Sequence, residues 1–163
     1  MAKKVALMGM CIALALVLGW LESLVPVVPP VSGIKLGLAN VVSIFLLYRM
    51  SYKEASIVAL LRVLLSGILF GNFSMLLYSL AGAFLSILLM SLLKASSKFS
   101  VIPVSIVGGI AHNLGQLIAA VIIVENGILF YYLPVLILAG AISGALIGLL
   151  GALLIKHIPD NLV

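Results

Sequence analysis

Long apolar stretches separated by short polar or proline-containing breaks dominate the chain. An α-helix needs about 20 residues to cross about 30 Å of hydrocarbon, and six stretches come close to this length. The first ends before Pro26, Pro29 and Pro30, which cannot continue a helix, and the second is short and interrupted by glycine. The pattern predicts six transmembrane helices, at about residues 5–24, 33–48, 51–70, 73–93, 101–124 and 132–156.

The composition agrees with a lipid environment. Hydrophobic residues make up 65% of the 163 residues and charged residues only 8%, whereas about 25% of the residues in soluble domains are charged. A soluble domain of this size would leave much of that apolar surface in water. We therefore expect an all-α membrane protein, a bundle of six transmembrane helices that forms a single integral membrane domain over 1–163.

The cations predict the orientation of this bundle. Lys35 lies on one side of the predicted membrane, and seven cations lie on the other: Lys3, Lys4, Arg49, Lys53, Lys94, Lys98 and Lys156. Short cytoplasmic loops carry an excess of lysine and arginine. The pattern predicts cytoplasmic N- and C-termini in a multi-pass protein of a prokaryotic plasma membrane. The net charge of +5 is explained in this way without a nucleic-acid partner.

The residue types required for catalysis or metal binding are scarce. Asp160, in the tail, is the sole aspartate, and Cys11 is the sole cysteine. The sequence has no Walker A motif for ATP and no clustered aspartates that would hold Mg²⁺ on a diphosphate. One histidine within a span supplies too few ligands for a metal ion. We expect a protein without catalytic residues, metal or cofactor.

A polar stripe runs along the fifth predicted span. Its members are spaced by three or four residues and share one face of a helix: Gly108, His112, Gly115, Gln116 and Ala119. Asn113 lies about 100° from His112, at the edge of the stripe. Polar groups in the membrane interior must face protein or a cavity. Either these side chains hydrogen-bond to neighbouring helices, or they form the wall of a ligand site.

Arg62 lies near the bilayer centre of the third span, about 11 residues from its inner end. It shares a face with Ala59 and Ser66 and therefore points into the bundle. Either its side chain extends toward Glu22, or it makes an electropositive pocket for an anionic or carbonyl-rich ligand. Lys35 and Asn40 add polar groups in the outer half, which favours a pocket that opens outside. The loop over 26–35 either covers that pocket or connects two helices.

Small residues recur at helical spacing in the first and last spans. Gly140, Gly144 and Gly148 form a stripe in the sixth span, and such stripes allow helix backbones to approach closely in lipid. Gly9 and Ala13 share a face of the first span. Each stripe either packs inside the chain or docks another membrane subunit.

Three segments together resemble a known family. Lys35-Leu-Gly-Leu-Ala-Asn40, Ala59-Leu-Leu-Arg62 and Ala111-His112-Asn113-Leu-Gly-Gln116 are similar to the Gx transporter family, often named heptaprenyl diphosphate synthase component I. That family resembles the substrate-binding S components of energy-coupling factor (ECF) vitamin transporters. The resemblance implies six helices, both ends inside and a pocket open to the outside.

The resemblance also implies residue roles and partners. The pocket would involve Lys35, His112, Asn113 and Gln116, with Arg62 as a less direct match. Gly9 and Ala13 would dock onto an ECF-type transmembrane subunit that is driven by separate ATPases.

Two other functions stay open. The chain is an accessory subunit of a polyprenyl diphosphate synthase in isoprenoid or menaquinone biosynthesis, or it moves a flavin or quinone precursor for membrane redox chemistry. The substrate expected from these alternatives is a small molecule, anionic, flavin-like or isoprenoid.

Overall fold

The structure, a computed structural model, describes residues 2–24, 37–70 and 73–158, and all regular structure in these ranges is helical. Six α-helices and one 3-10 helix, Gly127–Tyr132, follow one another along the described part of the chain. The α-helices are α1 (Ala2–Leu24), α2 (Asn40–Arg49), α3 (Tyr52–Phe70), α4 (Phe73–Ala95), α5 (Val101–Val124) and α6 (Leu133–His157).

The short helix α2 forms the centre of the bundle. Every residue from position 41 to 47 is buried, and α2 contacts α1, α3, α5 and α6. Around it, α3 packs on α4, α4 on α5 and α5 on α6, whereas α1 lies at the edge against α3 and α2. Burial on all sides explains why residues 41–47 of α2 are apolar except for Ser43.

The beginning of α2 is fixed by a turn. Gly37 has a φ of +74°, a left-handed conformation that glycine adopts without steric strain. The backbone N–H of Asn40 then donates to the carbonyl of Gly37 over 2.7 Å, and that of Val41 donates to Leu38 over 3.1 Å. The predicted second span began at about residue 33; residues 33–36 lie outside the described residues, and after the turn at Gly37 the observed helix begins at Asn40.

Glycines bring α5 and α6 into direct backbone contact. A β-carbon built on Gly140 would lie 2.8 Å from the carbonyl oxygen of Gly109, and one built on Gly144 would lie 2.7 Å from that of Ser105. Real side chains never approach backbone atoms so closely, so only glycine fits here. The stripe in the last helix therefore packs inside the chain.

Basic side chains connect the helices at one end of the bundle. Lys4 of α1 forms an ion pair with Glu54 of α3, and Arg49 donates to the carbonyl oxygens of Ile155 and Ile158 at the end of α6. We call this the basic end. Since α1 begins and α6 ends here, the first and last described helices share one end of the bundle.

The expected fold class is confirmed: the described chain is all-α and contains six α-helices. Four stretches are long and apolar enough to cross a membrane, at Lys3–Leu21, Phe73–Ala95, Val101–Val124 and Gly127–His157. The 19-residue helix α3 carries Lys53, Glu54 and Arg62, and α2 has only 10 residues. The cytoplasmic location of the termini stays a prediction.

Candidate functional site

Polar side chains from α2, α3 and α4 converge on a narrow gap inside the bundle. The gap is too narrow to hold a water molecule. Eight residues line it: Asn40, Ser43, Ala59, Arg62, Ala83, Ser86, Ile87 and Met90. We call it the α2–α4 gap. Half of its lining is polar or charged, which is unusual for the interior of so apolar a chain.

Arg62 and Asn40, both predicted ligand-binding residues, meet in this gap. The guanidinium Nη2 of Arg62 donates to the amide Oδ1 of Asn40 over 3.3 Å. The turn at Gly37 makes room for this amide, because a β-carbon on Gly37 would lie 2.9 Å from Asn40 Nδ2. Arg62 lies ten residues along α3 from the basic end, which corresponds to a depth of about 15 Å. With the basic end at one surface of a membrane of about 30 Å, this depth would place the pair near the middle of the membrane.

Two buried serines complete the polar part of the gap. Ser43 of α2 and Ser86 of α4 are each only 4% exposed. Their hydroxyls make no hydrogen bond to another residue in the part of the chain that the structure describes, unlike the hydroxyl of Ser143, which donates to the carbonyl of Gly140. A serine hydroxyl can both donate and accept a hydrogen bond. The gap thus gathers donors from three helices.

His112 and Gln116 lie against a different part of α4. A β-carbon built on Gly82 would lie 2.7 Å from the carbonyl oxygen of His112, 3.1 Å from its ring carbon Cε1 and 2.8 Å from Gln116 Cγ. Glycine at this position allows the polar face of α5 to pack closely against α4. These two side chains do not line the α2–α4 gap. The stripe approaches the gap through Gly108, where a β-carbon would lie 3.3 Å from Ser86 Oγ.

Asn113 faces α6. Its amide Nδ2 donates to the carbonyl oxygen of Leu136 over 2.9 Å, and the residue is 6% exposed. The predicted pocket residues on α5 are therefore divided between two helix interfaces. Lys35 lies outside the described residues, and so does the side chain of Glu22. The binding roles of these residues stay predictions.

The predicted docking residues lie on the outer face of α1. Gly9 and Ala13 are exposed, and a β-carbon on Gly9 would meet nothing within 4 Å. The apolar side chains of Met10, Leu14 and Val17 are at least half exposed beside them. This face is free to contact lipid or another membrane protein.

A comparison with known protein families shows the family to which this chain belongs. The family model described as heptaprenyl diphosphate synthase component I matches residues 11–154. The chain belongs to this family. No curated protein and no solved structure matched the chain. The matched range includes the whole α2–α4 gap, so the polar cluster lies within the part of the molecule that the family model covers.

Sequence reasoning missed several residues that line the gap or connect the helices. Ser43 lies three residues after Asn40, and Ser86 lies four after Gly82, spacings that place each pair on one helix face. These spacings were the available signal.

In the sequence analysis, Arg49 and Lys94 served only to predict the topology. In the structure, Lys94 donates to the carbonyl of Leu47, and its ammonium lies 5.4 Å from the centre of the Tyr48 ring.

The α2–α4 gap presents several hydrogen-bond donors that could bind a ligand. Arginine presents five N–H donors and no acceptor, and serine and asparagine can supply more, so this cluster suits a ligand rich in acceptors. Within the described residues, no group of three or more His, Cys, Asp and Glu side chains is placed to hold a metal ion.

Proposed function

We propose that this family member is a membrane substrate-binding subunit, similar to the S component of an ECF-type transporter, which captures a small molecule from outside for uptake. The observation that carries the proposal is the meeting of Arg62 and Asn40 inside the bundle. Placing an arginine near mid-depth costs at least about 2.5–3.5 kcal/mol on insertion scales. The presence of this costly arginine in so apolar a chain is explained if its side chain binds a polar substrate.

The shape of α2 supports the same proposal. The helix spans only 10 residues, about 15 Å, and begins close to the depth of Arg62. Transporters commonly place substrate sites near the bilayer midplane, where helices are interrupted. A short second helix that begins beside a partly buried arginine fits this arrangement.

The proposed partners are an ECF-type transmembrane subunit and its ATPases, which would supply the energy for uptake. The outer face of α1 suits such a partner because Gly9 and Ala13 leave its backbone accessible. Small residues permit close helix approach in lipid.

The first experiment is mass spectrometry of small molecules extracted from the full chain after purification in mild detergent. We expect one soluble metabolite at near-stoichiometric amount. An unrelated six-helix membrane protein, purified in parallel from the same host, identifies molecules that are carried over non-specifically. Recovery of no enriched molecule would contradict the proposal.

The docking role of α1 has its own test. Gly9→Leu should prevent co-purification of an ECF-type transmembrane subunit without changing the amount of bound small molecule. Gly19→Leu is the matched control, because a β-carbon at Gly19 also meets nothing within 4 Å and the position lies about 80° away around α1. Intact co-purification of Gly9→Leu would refute the docking role.

A second candidate function is suggested by the family description itself: an accessory membrane subunit of heptaprenyl diphosphate synthase. Under this alternative the chain would present an isoprenoid to a soluble catalytic partner. The extraction experiment separates the two functions, since a polyprenyl diphosphate or quinone intermediate would be recovered instead of a soluble metabolite.

A further inference from the structure

We propose that the α2–α4 gap binds the oxyanion group of the ligand, a phosphate or carboxylate, through Arg62, Ser43 and Ser86. This inference rests on the proposed function and names the chemical class of its substrate. It also assigns the anchoring contacts to α2, α3 and α4, whereas the resemblance points mainly to α5.

The first argument is the hydrogen-bond character of the lining. Arg62 only donates, and the Oδ1 of Asn40 already accepts from it. Ser43 and Ser86 add two hydroxyls that can donate toward the gap. None of the eight lining residues is a carboxylate. A site composed mainly of donors is complementary to phosphate or carboxylate oxygens, which only accept in their ionised form.

The second argument is burial. Ser43 and Ser86 are each 4% exposed, and their hydroxyls have no hydrogen-bond partner among the described residues. Their oxygen atoms are not among the fully buried, unpartnered polar atoms of the described residues, so both hydroxyls keep some accessible surface that a ligand atom can reach. Two such hydroxyls that line one gap, on different helices and beside an arginine, are explained if a ligand atom completes their hydrogen bonds.

The third argument concerns space. The gap has no room for a water molecule, so a ligand must displace side chains to enter. Met90 and Ile87 are the large apolar side chains of its lining, and methionine changes shape easily because it is unbranched and has three rotatable bonds. The same Met90 side chain fills the space beside Gly108. Its movement would open the gap toward the His112 stripe and join the two sets of predicted residues.

The test uses the full chain in neutral detergent with inorganic phosphate as the soluble probe. We expect phosphate to raise the thermal unfolding temperature beyond the effect of KCl at equal ionic strength. Arg62→Gln should weaken phosphate binding about tenfold or more, since it removes a charge-assisted hydrogen bond. Ser86→Ala should weaken it about three- to tenfold. Ser143→Ala, which removes a hydroxyl that already bonds within α6, should leave binding unchanged.

A second arm identifies the source of the oxyanion. The chain is placed in nanodiscs that contain phosphatidic acid, and lipid retention is measured by native mass spectrometry. Dependence on Arg62 and Ser86 in the phosphate arm supports the site with a soluble ligand. The same dependence in the phosphatidic-acid arm alone supports it with a lipid headgroup. Ser86→Ala keeps the test decisive if Arg62→Gln does not fold.

Two results would overturn the inference. Binding that is equal in wild type, Arg62→Gln and Ser86→Ala would place the anion elsewhere, with the cations of the basic end as its site. Failure of both probes to bind wild type would also reject it. If the metabolite found by extraction stays bound to both variants, the oxyanion site is wrong while the proposed function stands. If wild type carries no metabolite, the proposed function fails by itself.

Discussion

Individual polar side chains inside this bundle form hydrogen bonds between neighbouring helices. Asn113 illustrates this, because its amide donates to the carbonyl of Leu136 across the α5–α6 interface. Interhelical hydrogen bonds of this kind contribute about 0.6 kcal/mol on average and up to about 1.7 kcal/mol. At the residue scale, a polar position in a span can therefore serve packing, ligand binding or both.

Asn113→Leu keeps the size of the side chain but removes this hydrogen bond. We expect the free energy of unfolding to fall by about 0.6–1.7 kcal/mol, as measured by SDS titration in mixed micelles. Ile118→Leu, at a position of the same helix that is 40% exposed, is the control and should change little. Equal stability of Asn113→Leu and wild type would show that the contact contributes nothing.

The ends of the helices are stabilised by cations from other elements. The last four carbonyl groups of a helix lack intrahelical partners, and the C-terminus carries a partial negative charge. Arg49, at the end of α2, donates to two carbonyls at the end of α6, and Lys94 of α4 donates to Leu47 near the end of α2. These contacts join α2, α4 and α6 at the basic end.

Arg49→Gln should loosen the last turn of α6, because a hydrogen bond to a charged group contributes about 1.5–3 kcal/mol. We expect amide hydrogen exchange at residues 155–158 to become about tenfold faster. Lys98→Gln removes an exposed cation from the same end of the bundle and should leave this exchange unchanged. Equal acceleration in Lys98→Gln would show that the loss of a positive charge at the basic end, and not the loss of the Arg49 contact with α6, speeds the exchange.

The contact of α5 with α6 depends on glycine at defined positions. A β-carbon at Gly144 would lie 2.7 Å from Ser105 O and 2.8 Å from Ile106 Cα, and backbone atoms cannot move aside as a flexible side chain can. Gly144→Ala should therefore destabilise the protein by about 1–3 kcal/mol, the usual cost of overpacking, and lower the thermal unfolding temperature in detergent. Gly127→Ala, with open space around it, should behave as wild type; a similar loss there would point to helix propensity or handling instead.

At the scale of the whole molecule, the helices alternate in direction and bring the cations together. Lys4, Arg49 and Lys94 all make their contacts at the basic end, whereas the 3-10 helix Gly127–Tyr132 follows the opposite end of α5. A charge asymmetry of this kind predicts that the basic end faces the cytoplasm.

Cysteine labelling tests this orientation. In a Cys11→Ala background, we expect Gly127→Cys to react with a membrane-impermeant maleimide in intact cells. Lys98→Cys should react only after the cells are permeabilised, because it lies at the basic end. Both positions are exposed, so accessibility within the protein does not limit either reaction. Labelling of Lys98→Cys in intact cells would reverse the predicted topology.

The hydrophobic pattern was sufficient to predict six helices because lipid leaves few alternatives: backbone groups must be satisfied within each segment. It was less informative for α2. The extent of α2 is limited by the turn at Gly37, and its central burial follows from the helices around it. The glycines of α6 were visible as a stripe, but only their contacts with Gly109 and Ser105 determined that this stripe packs inside the chain.

The candidate site was predicted in its residue types but not in its grouping. The sequence alone marked Arg62, Asn40 and His112 as polar groups in apolar helices, because such groups are costly in lipid wherever they lie. Only the tertiary structure determined that Arg62 meets Asn40, that Ser43 and Ser86 join them, and that His112 and Asn113 face different helices. Helical periodicity fixes the face on which a residue lies, whereas the rotation and packing of the helices determine which faces meet.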